Sequence, residues 1–440
     1  MSLDHAIDRD ALSASVAEKI RRPLPGWMRP VFLGSAVIGW ITFLILALSV
    51  DPDRAWRVYH LNWLYWTGLA MGLVLFSAVV TAAKGRWATP LRRIGEASVA
   101  FLPISFVLFL LSWLGRTRIY PWIARPELLH EPTHVKAFWL RDWFLYSRNA
   151  VGLLLLFGFS IYFVYHGVRQ DVADQKDRLP GRFRPLYDRL TRNWHPSEGF
   201  VLSGETRATS APLLIVLYAV VMSLVAFDCI MSLAPFWVSN LLGGFFFMGA
   251  WLSGLMSLAL LSLMWRKHYQ LDDAITPHHL HDLGKLCFGF TVFWGYLFFA
   301  QFLVIWYGNL PEETSFIFLR LTRPEWKYIS TAMVVLCFLL PFWGLIGIKP
   351  KKTPAILATF ATISLVGLWV DRYVLTVPSI VQAVPSGNTP LGWQEVLITA
   401  GFFGTWGLCY AWFAERFPIV SPTLIRHHGE RRRHAHHSDA

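Results

Sequence analysis

The sequence predicts an all-α integral membrane protein with ten transmembrane helices. Of its 440 residues 55% are hydrophobic and only 15% are charged, with a mean hydropathy of +0.42. Apolar runs recur that match the ~20 residues a helix needs to cross a bilayer. Lys and Arg gather in alternate connections between these runs, as the positive-inside rule describes.

The spans follow in order along the chain. We place them at residues 31–50, 60–83, 94–115, 147–168, 211–234, 240–264, 284–307, 326–347, 355–377 and 392–414. With the N-terminus in the cytoplasm, 28 of the 40 Lys and Arg residues fall in the cytoplasmic tails and loops. The sequence therefore predicts that both termini are cytoplasmic.

The connections and tails define three regions. Residues 1–30 are predicted to be an uncleaved cytoplasmic tail, because they lack the apolar core of a signal peptide. Residues 31–415 form the membrane domain, and its longest cytoplasmic loop, 169–207, contains LPGRFRPLYDRL, predicted as a short surface helix. Residues 416–440 are a basic, His- and Arg-rich tail, typical of a disordered segment near anionic headgroups rather than a metal site.

Composition and cysteine spacing exclude several classes. The formal net charge of +12 lies in membrane-flanking loops, so a nucleic-acid partner is not expected. The four cysteines, Cys229, Cys287, Cys337 and Cys409, are widely spaced in apolar segments without a CxxC motif. We therefore expect this chain to attach no c-type haem, iron–sulfur cluster or metal ion.

The stretch from Thr276 to Glu313 carries the first candidate site. Read as a helix, its polar head places His278, His281, Asp282 and Lys285 on one face. Tyr296 continues that face eleven residues after Lys285, or roughly 16 Å along the helix. The head is interpreted as the cytoplasmic mouth of a proton path, or equally as a helix cap beside a solvated basic loop.

Ionisable residues inside spans are costly in a bilayer and so are candidate sites. Asp228 lies deep in span 5, in SLVAFDCIMSL, as a proton-relay carboxyl or a structural hydrogen-bonding group. Span 9 contains Asp371, Arg372 and Tyr373, a further part of the path or an interfacial ion pair. Glu96 begins span 3 from the inside and is included among the candidates.

Polar residues at the outer span ends form a second candidate site. His60 and Asn62 begin span 2, and Asp142 precedes span 4. These groups could meet a quinone headgroup while its tail remains in lipid. A histidine at the end of a span is, however, more often simply interfacial.

Four segments resemble the landmarks of one family in order along residues 30–415. They are HLNWLYWTGLAMGLVLFSAVV, GRWATPLRRIGEASVAFLPISFVLF, SLVAFDCIMSLAPFWVS and HHLHDLGKLCFGFTVFWGYLFFAQFLVIWYGNLPEET. They are similar to the second NrfD-like membrane subunit of alternative complex III, the bacterial quinol:cytochrome c oxidoreductase.

The resemblance implies two four-helix bundles, spans 2–5 and 6–9, with spans 1 and 10 peripheral. It implies a complex in the bacterial inner membrane with a multihaem cytochrome, an iron–sulfur subunit and a sister NrfD-like subunit. Haem c and iron–sulfur clusters then belong to those partners, quinol is the substrate of the complex, and this chain supplies a proton pathway.

Two alternatives remain open. In the first, this chain binds and oxidises quinol itself, with His60 and Asp142 or Asp371 taking protons. In the second, it is an independent secondary transporter, although no matched pair of broken helices occurs in its two halves.

Overall fold

The computed structural model describes residues 9–129, 134–383 and 391–426, which are almost entirely helical. Within these ranges, ten helices are long and apolar enough to cross a membrane, as predicted. They are α1 (Met28–Val50), α2 (Pro52–Ala82), α3 (Arg92–Ile119), α4 (Asp142–Arg178), α5 (Val201–Leu233), α6 (Leu242–Tyr269), α7 (Pro277–Gly308), α8 (Pro324–Leu345), α9 (Pro354–Gln382) and α10 (Trp393–Arg416).

Local sequence explains several helix ends. Proline occupies the first turn of α2, α7 and α8, where its missing N–H is not needed and its fixed φ suits a helix. The Thr276 and His279 side chains form a capping box at the start of α7. Asn309, with φ of 44°, adopts the left-handed conformation that ends the same helix.

The helices form the two bundles that the resemblance implied. In bundle 1, α2 and α4 each pack against both α3 and α5, and in bundle 2, α6 and α8 each pack against both α7 and α9. α1 and α10 pack against each other, and α10 also contacts α2 and α3. Arg54 of α2 binds Glu395 of α10 through two hydrogen bonds of 2.8 and 2.7 Å, fixing this peripheral pair to bundle 1.

The two bundles meet where α2 crosses α6. These are the most enclosed spans, with 89% and 78% of their apolar windows buried, against 22% for α7. Gly68 and Gly72 of α2 face Ala250 and Gly254 of α6 so closely that a Cβ on Gly254 would lie 2.3 Å from the carbonyl carbon of Gly72. Small residues four apart on both helices permit this approach of the two backbones.

The chain segments outside the spans differ partly from the prediction. The predicted loop 169–207 contains more helix than the one short element expected. The α-helix of α4 runs to Gln175 and a 3-10 turn follows to Arg178, while the helix that includes α5 already begins at Pro196. The short helix predicted in LPGRFRPLYDRL is confirmed as Arg184–Leu190.

Both tails contain ordered segments that meet on one side of the membrane domain, which we call the tail side. A helix spans Arg9–Lys19, and the Ser13 hydroxyl donates to the Pro422 carbonyl at 3.0 Å. Ser421 donates to Asp171 at 2.5 Å, tying the segment after α10 to α4. The His- and Arg-rich residues from 427 onward lie outside the described residues.

Candidate functional site

Asp228, near the end of α5 that is remote from the tail side, is the centre of a buried polar group. Arg148 of α4 donates from Nη2 to Oδ1 at 2.7 Å and from Nε to Oδ2 at 2.8 Å. Asn149 adds a bond of 2.6 Å to Oδ2, and the Trp139 indole adds one of 3.1 Å to Oδ1. We call these four residues the Asp228 cluster, and its four donor contacts are suited to an ionised carboxylate.

His60 lies next to this cluster rather than at an exposed helix end. Its ring is 2% exposed, and Nε2 is 2.7 Å from the carbonyl oxygen of Cys229, the residue after Asp228. The Tyr120 ring packs edge-on against His60, and its hydroxyl hydrogen-bonds the Cys229 side chain. Burial raises the pKa of Tyr120 well above its usual value.

The other two residues of the predicted quinone site do not join His60. Asn62 points to bundle 2, where its Oδ1 accepts a hydrogen bond of 3.1 Å from Trp369 of α9. Asp142 lies at the start of α4, one-third exposed, and pairs with Arg116 at 3.3 Å. The three side chains therefore do not converge on one headgroup.

A second polar group joins α9 to α6 in bundle 2. Arg372 binds Asp371 at 3.0 Å, donates to the Phe246 carbonyl at 3.0 Å and lies 4.3 Å above the Phe246 ring. The Oδ1 atom of Asp371 is buried without a hydrogen-bond partner in the described residues. Tyr373, also buried, packs against Trp326 and Trp369.

The predicted polar face of α7 lies apart from Asp228. Its Lys285 ammonium binds Asp282 at 2.7 Å, with the His281 ring 3.7 Å from the same carboxylate, and His278 is exposed beside them. Tyr296, the next residue on this face, is 62% exposed and so points away from the bundle interior. α6 packs against both α5 and α7 and lies between them.

Glu96 instead belongs to a buried charged group at the tail-side end of bundle 1. Arg93 of α3 binds Glu96 at 2.7 Å and Asp171 of α4 at 2.5 Å. Arg207 of α5 and Ser77 of α2 both donate to the remaining Glu96 oxygen. We call these five residues the Glu96 cluster, and they join all four helices of the bundle.

Gly167 leaves the space that this cluster requires. A Cβ at this position would lie 2.0 Å from Nη1 of Arg207 and 3.2 Å from Nη2 of Arg93. The two guanidinium groups can therefore lie side by side against α4 only because the helix has no side chain here.

Sequence reasoning gave Arg148 little weight and missed Arg93, Asp171 and Arg207. Each lies near a predicted span end, where a charged residue usually reaches into the headgroups. A signal was available in RRIGE, which places Arg93 and Glu96 three residues apart on one helix face.

Arg320, outside the spans, was also missed, and it serves a structural purpose. Pro378 of α9 has no N–H to bond the Val374 carbonyl four residues earlier, and Arg320 Nε donates to that oxygen at 2.8 Å. Its Nη2 donates to the Leu375 carbonyl at 3.1 Å, and its guanidinium lies 3.3 Å from the Phe316 ring. A buried arginine thus completes the hydrogen bonding of a proline-interrupted helix.

These features define the class of protein: an all-α, multi-pass integral membrane protein of two four-helix bundles with buried ionisable clusters in its interior. Within the described ranges, no three His, Cys, Asp or Glu side chains come together as a set that could hold a metal ion. Compared with known proteins, the chain matches no protein-family model and no curated protein.

Proposed function

We propose that the chain is a membrane subunit of a quinol:electron-acceptor oxidoreductase of the alternative complex III type. In this proposal it carries no redox centre of its own and provides a scaffold and a transmembrane proton pathway. The resemblance of the four sequence segments supports the redox complex and its haem and iron–sulfur partners. The buried clusters of bundle 1 support the proton pathway.

The observation that carries the pathway is the pair of carboxylate clusters at the two ends of one bundle. The Glu96 cluster lies at the tail-side end and the Asp228 cluster at the opposite end, each enclosed by helices of bundle 1. Buried carboxylates in a membrane interior are the usual sites of proton relays. Because Tyr296 points outward, this geometry favours Glu96 over the α7 residues as the start of the path.

Polar side chains along α2 mark the course between the clusters. Ser77 contacts Glu96, Thr67 bonds Ser105 at 2.6 Å, and His60 lies beside Asp228. At 1.5 Å per residue these groups are separated by roughly 15 Å and 10 Å along the helix, so ordered water must bridge them.

An arginine is paired with the carboxylate at each end of this path. In each cluster the carboxylate is bonded to a guanidinium, Arg207 at Glu96 and Arg148 at Asp228. Protonation of either carboxylate removes its negative charge and releases the arginine. The proposed relay therefore moves a proton together with a side-chain rearrangement, which prevents a passive leak.

The tail side faces the cytoplasm of a bacterial inner membrane in this proposal, because the positively charged connections lie on that side. Cysteine introduced at Lys176 should react with an impermeant thiol reagent only from the cytoplasmic face. Labelling of intact cells from outside would place the tail side on the outer face of the membrane, and the proposed direction of the pathway would then be wrong.

The decisive experiment measures protons translocated per electron by the reconstituted complex. Asp228→Asn should leave quinol oxidation partly intact but lower the proton-to-electron ratio. Because this change leaves the mostly enclosed Arg148 guanidinium, 11% exposed, without its anion, at a cost of up to about 3–5 kcal/mol, the double change with Arg148→Gln is tested beside it.

Asp371→Asn is the matched control, because Asp371 is also buried and paired with an arginine, but in bundle 2. An unchanged ratio in both Asp228 variants would remove Asp228 from the path. A lower proton-to-electron ratio seen only with Asp371→Asn would assign the path to bundle 2.

A further inference from the structure

A cationic pocket lies on the tail side, outside the clusters described above. It has a volume of about 700 Å3 and is formed by residues 17–29, 175–182 and 414–418 together with Tyr269. Six arginines line it: Arg21, Arg22, Arg29, Arg178, Arg182 and Arg416. We call it the arginine pocket.

Acidic residues neutralise only part of this charge. Glu415 is shared by three of the arginines, Arg29 at 2.5 Å, Arg182 at 2.6 Å and Arg416 at 3.4 Å. Asp177, the other acidic residue of the lining, binds Arg184, which is not part of the lining. The pocket therefore retains a strong excess of positive charge.

Three of the arginines have no carboxylate partner within the described part of the chain: Arg22, which donates to the Gln270 amide oxygen at 3.3 Å, and also Arg21 and Arg178. Arg21 and Arg178 are exposed, line the pocket and form no ion pair there. Planar guanidinium groups with unused donors are suited to phosphate oxygens.

The position of the pocket selects the source of that phosphate. It is surrounded by the tail-side ends of four spans: Arg29 lies in the first turn of α1, Arg178 ends α4, Tyr269 ends α6 and Arg416 ends α10. Span ends lie at the level of the lipid headgroups, because the spans cross the hydrocarbon core. Trp27, 49% exposed beside the pocket, is the residue type enriched at this interface.

Space for hydrocarbon adjoins the same segment of chain. An apolar groove of about 630 Å3 is lined by Trp27 and Phe32, together with residues of α2, α6, α9 and α10. Pro25 and Gly26, immediately before Trp27, line the arginine pocket. Residues 25–32 therefore contribute both to a cationic site and to an apolar one, the two environments that a phospholipid requires.

We propose that the arginine pocket binds the phosphodiester headgroup of an anionic phospholipid. The bound lipid supplies the negative charge that Arg21 and Arg178 lack and joins the N-terminal segment to the ends of α4 and α10. Basic pockets between transmembrane helices bind such headgroups by the same chemistry.

Native mass spectrometry of the delipidated full-length chain, with phosphatidylglycerol and phosphatidylcholine of the same acyl chains, tests the proposal. Phosphatidylglycerol should be retained in preference. Arg21→Gln together with Arg178→Gln should weaken its binding by about fivefold per arginine, or roughly 25-fold in all. Equal retention of the two lipids, or unchanged binding in the double variant, would overturn the proposal.

Arg189→Gln with Arg192→Gln is the matched control, because it removes the same charge from exposed tail-side residues outside the pocket. This control should leave phosphatidylglycerol binding unchanged. If it weakens binding as much as the Arg21 and Arg178 pair does, the effect comes from general surface charge and not from the pocket. Should the first pair not fold, Arg21→Lys with Arg178→Lys keeps the charge and should lose only a fewfold, since lysine cannot bind phosphate in a bidentate manner. Millimolar inorganic phosphate should not displace the lipid, and displacement would indicate a site for free anions instead.

Discussion

Replacing Gly254 by alanine tests whether the two bundles depend on the contact between α2 and α6. The added Cβ would lie 2.3 Å from the Gly72 carbonyl carbon, whereas ordinary contacts begin at 3.4 Å. The obstructing atoms belong to backbone, so no side chain can rotate away. The helices must instead separate by roughly 1 Å at this point.

The expected cost follows from this separation. A gap of 0.5–1 Å removes about a quarter to a half of the dispersion energy of each contact it opens. Because α2 and α6 are the most buried spans, many contacts are affected together. We expect Gly254→Ala to lower the free energy of unfolding by an amount near the upper end of the roughly 1–3 kcal/mol typical of overpacked cores.

Thiol exposure on heating provides the assay. Cys229, Cys287 and Cys337 are fully buried, so a thiol-reactive fluorophore reports unfolding in detergent. Gly254→Ala should melt several degrees lower than the parent chain. Gly244→Ala is the control on the same helix, because no atom lies within 4 Å of its added Cβ. Equal melting temperatures of the two variants would refute the reasoning.

Three further predictions concern buried arginines. Gly167→Ala should push the Arg207 guanidinium off Glu96, destabilise the chain by about 1–3 kcal/mol and lower proton coupling in the complex. Arg54→Met should cost about 3–5 kcal/mol because it leaves Glu395 buried and unpaired, and adding Glu395→Leu should recover most of the loss. Arg320→Lys should cost about 1–3 kcal/mol per carbonyl left without a donor, since lysine cannot reach all its acceptors at once.

Each of these predictions has its own check in the thiol-exposure assay. Gly158→Ala, on the same helix as Gly167 with open space around its Cβ, should melt like the parent chain. If Arg54→Met with Glu395→Leu is no more stable than Arg54→Met alone, the ion-pair argument is contradicted. Pro378→Ala restores an N–H to α9 that can bond the Val374 carbonyl. Arg320→Lys should therefore lower the melting temperature less in a Pro378→Ala background, and an undiminished decrease would exclude the proposed role of Arg320.

Hydropathy was sufficient to predict ten spans because each apolar run must independently cover a bilayer thickness. It could not predict which faces of those spans meet. The polar stripe of α7 is a case in point: its spacing places Tyr296 on one helix face, but whether that face points inward depends on contacts with other helices.

The charged clusters were harder to predict for a related reason. A carboxylate in an apolar run, such as Asp228, is conspicuous in the sequence, whereas its partners Arg148 and Asn149 resemble ordinary residues of a span end. The contact between bundles did leave a readable pattern, small residues four apart at Gly68 and Gly72 and again at Ala250 and Gly254. Its meaning depends on two helices far apart in the chain.

The bond between Ser421 and Asp171 has a consequence for biosynthesis. The two residues are 250 positions apart, so Asp171 emerges from a ribosome well before its hydroxyl partner exists. At about 5–20 residues per second, that interval lasts roughly 12 to 50 s. Throughout it, Arg93 is the partner left to hold Asp171 in place. Synthesis of the segment after α10 thus delivers the hydroxyl ligand of this carboxylate, and a nascent chain stalled before Ser421 lacks it.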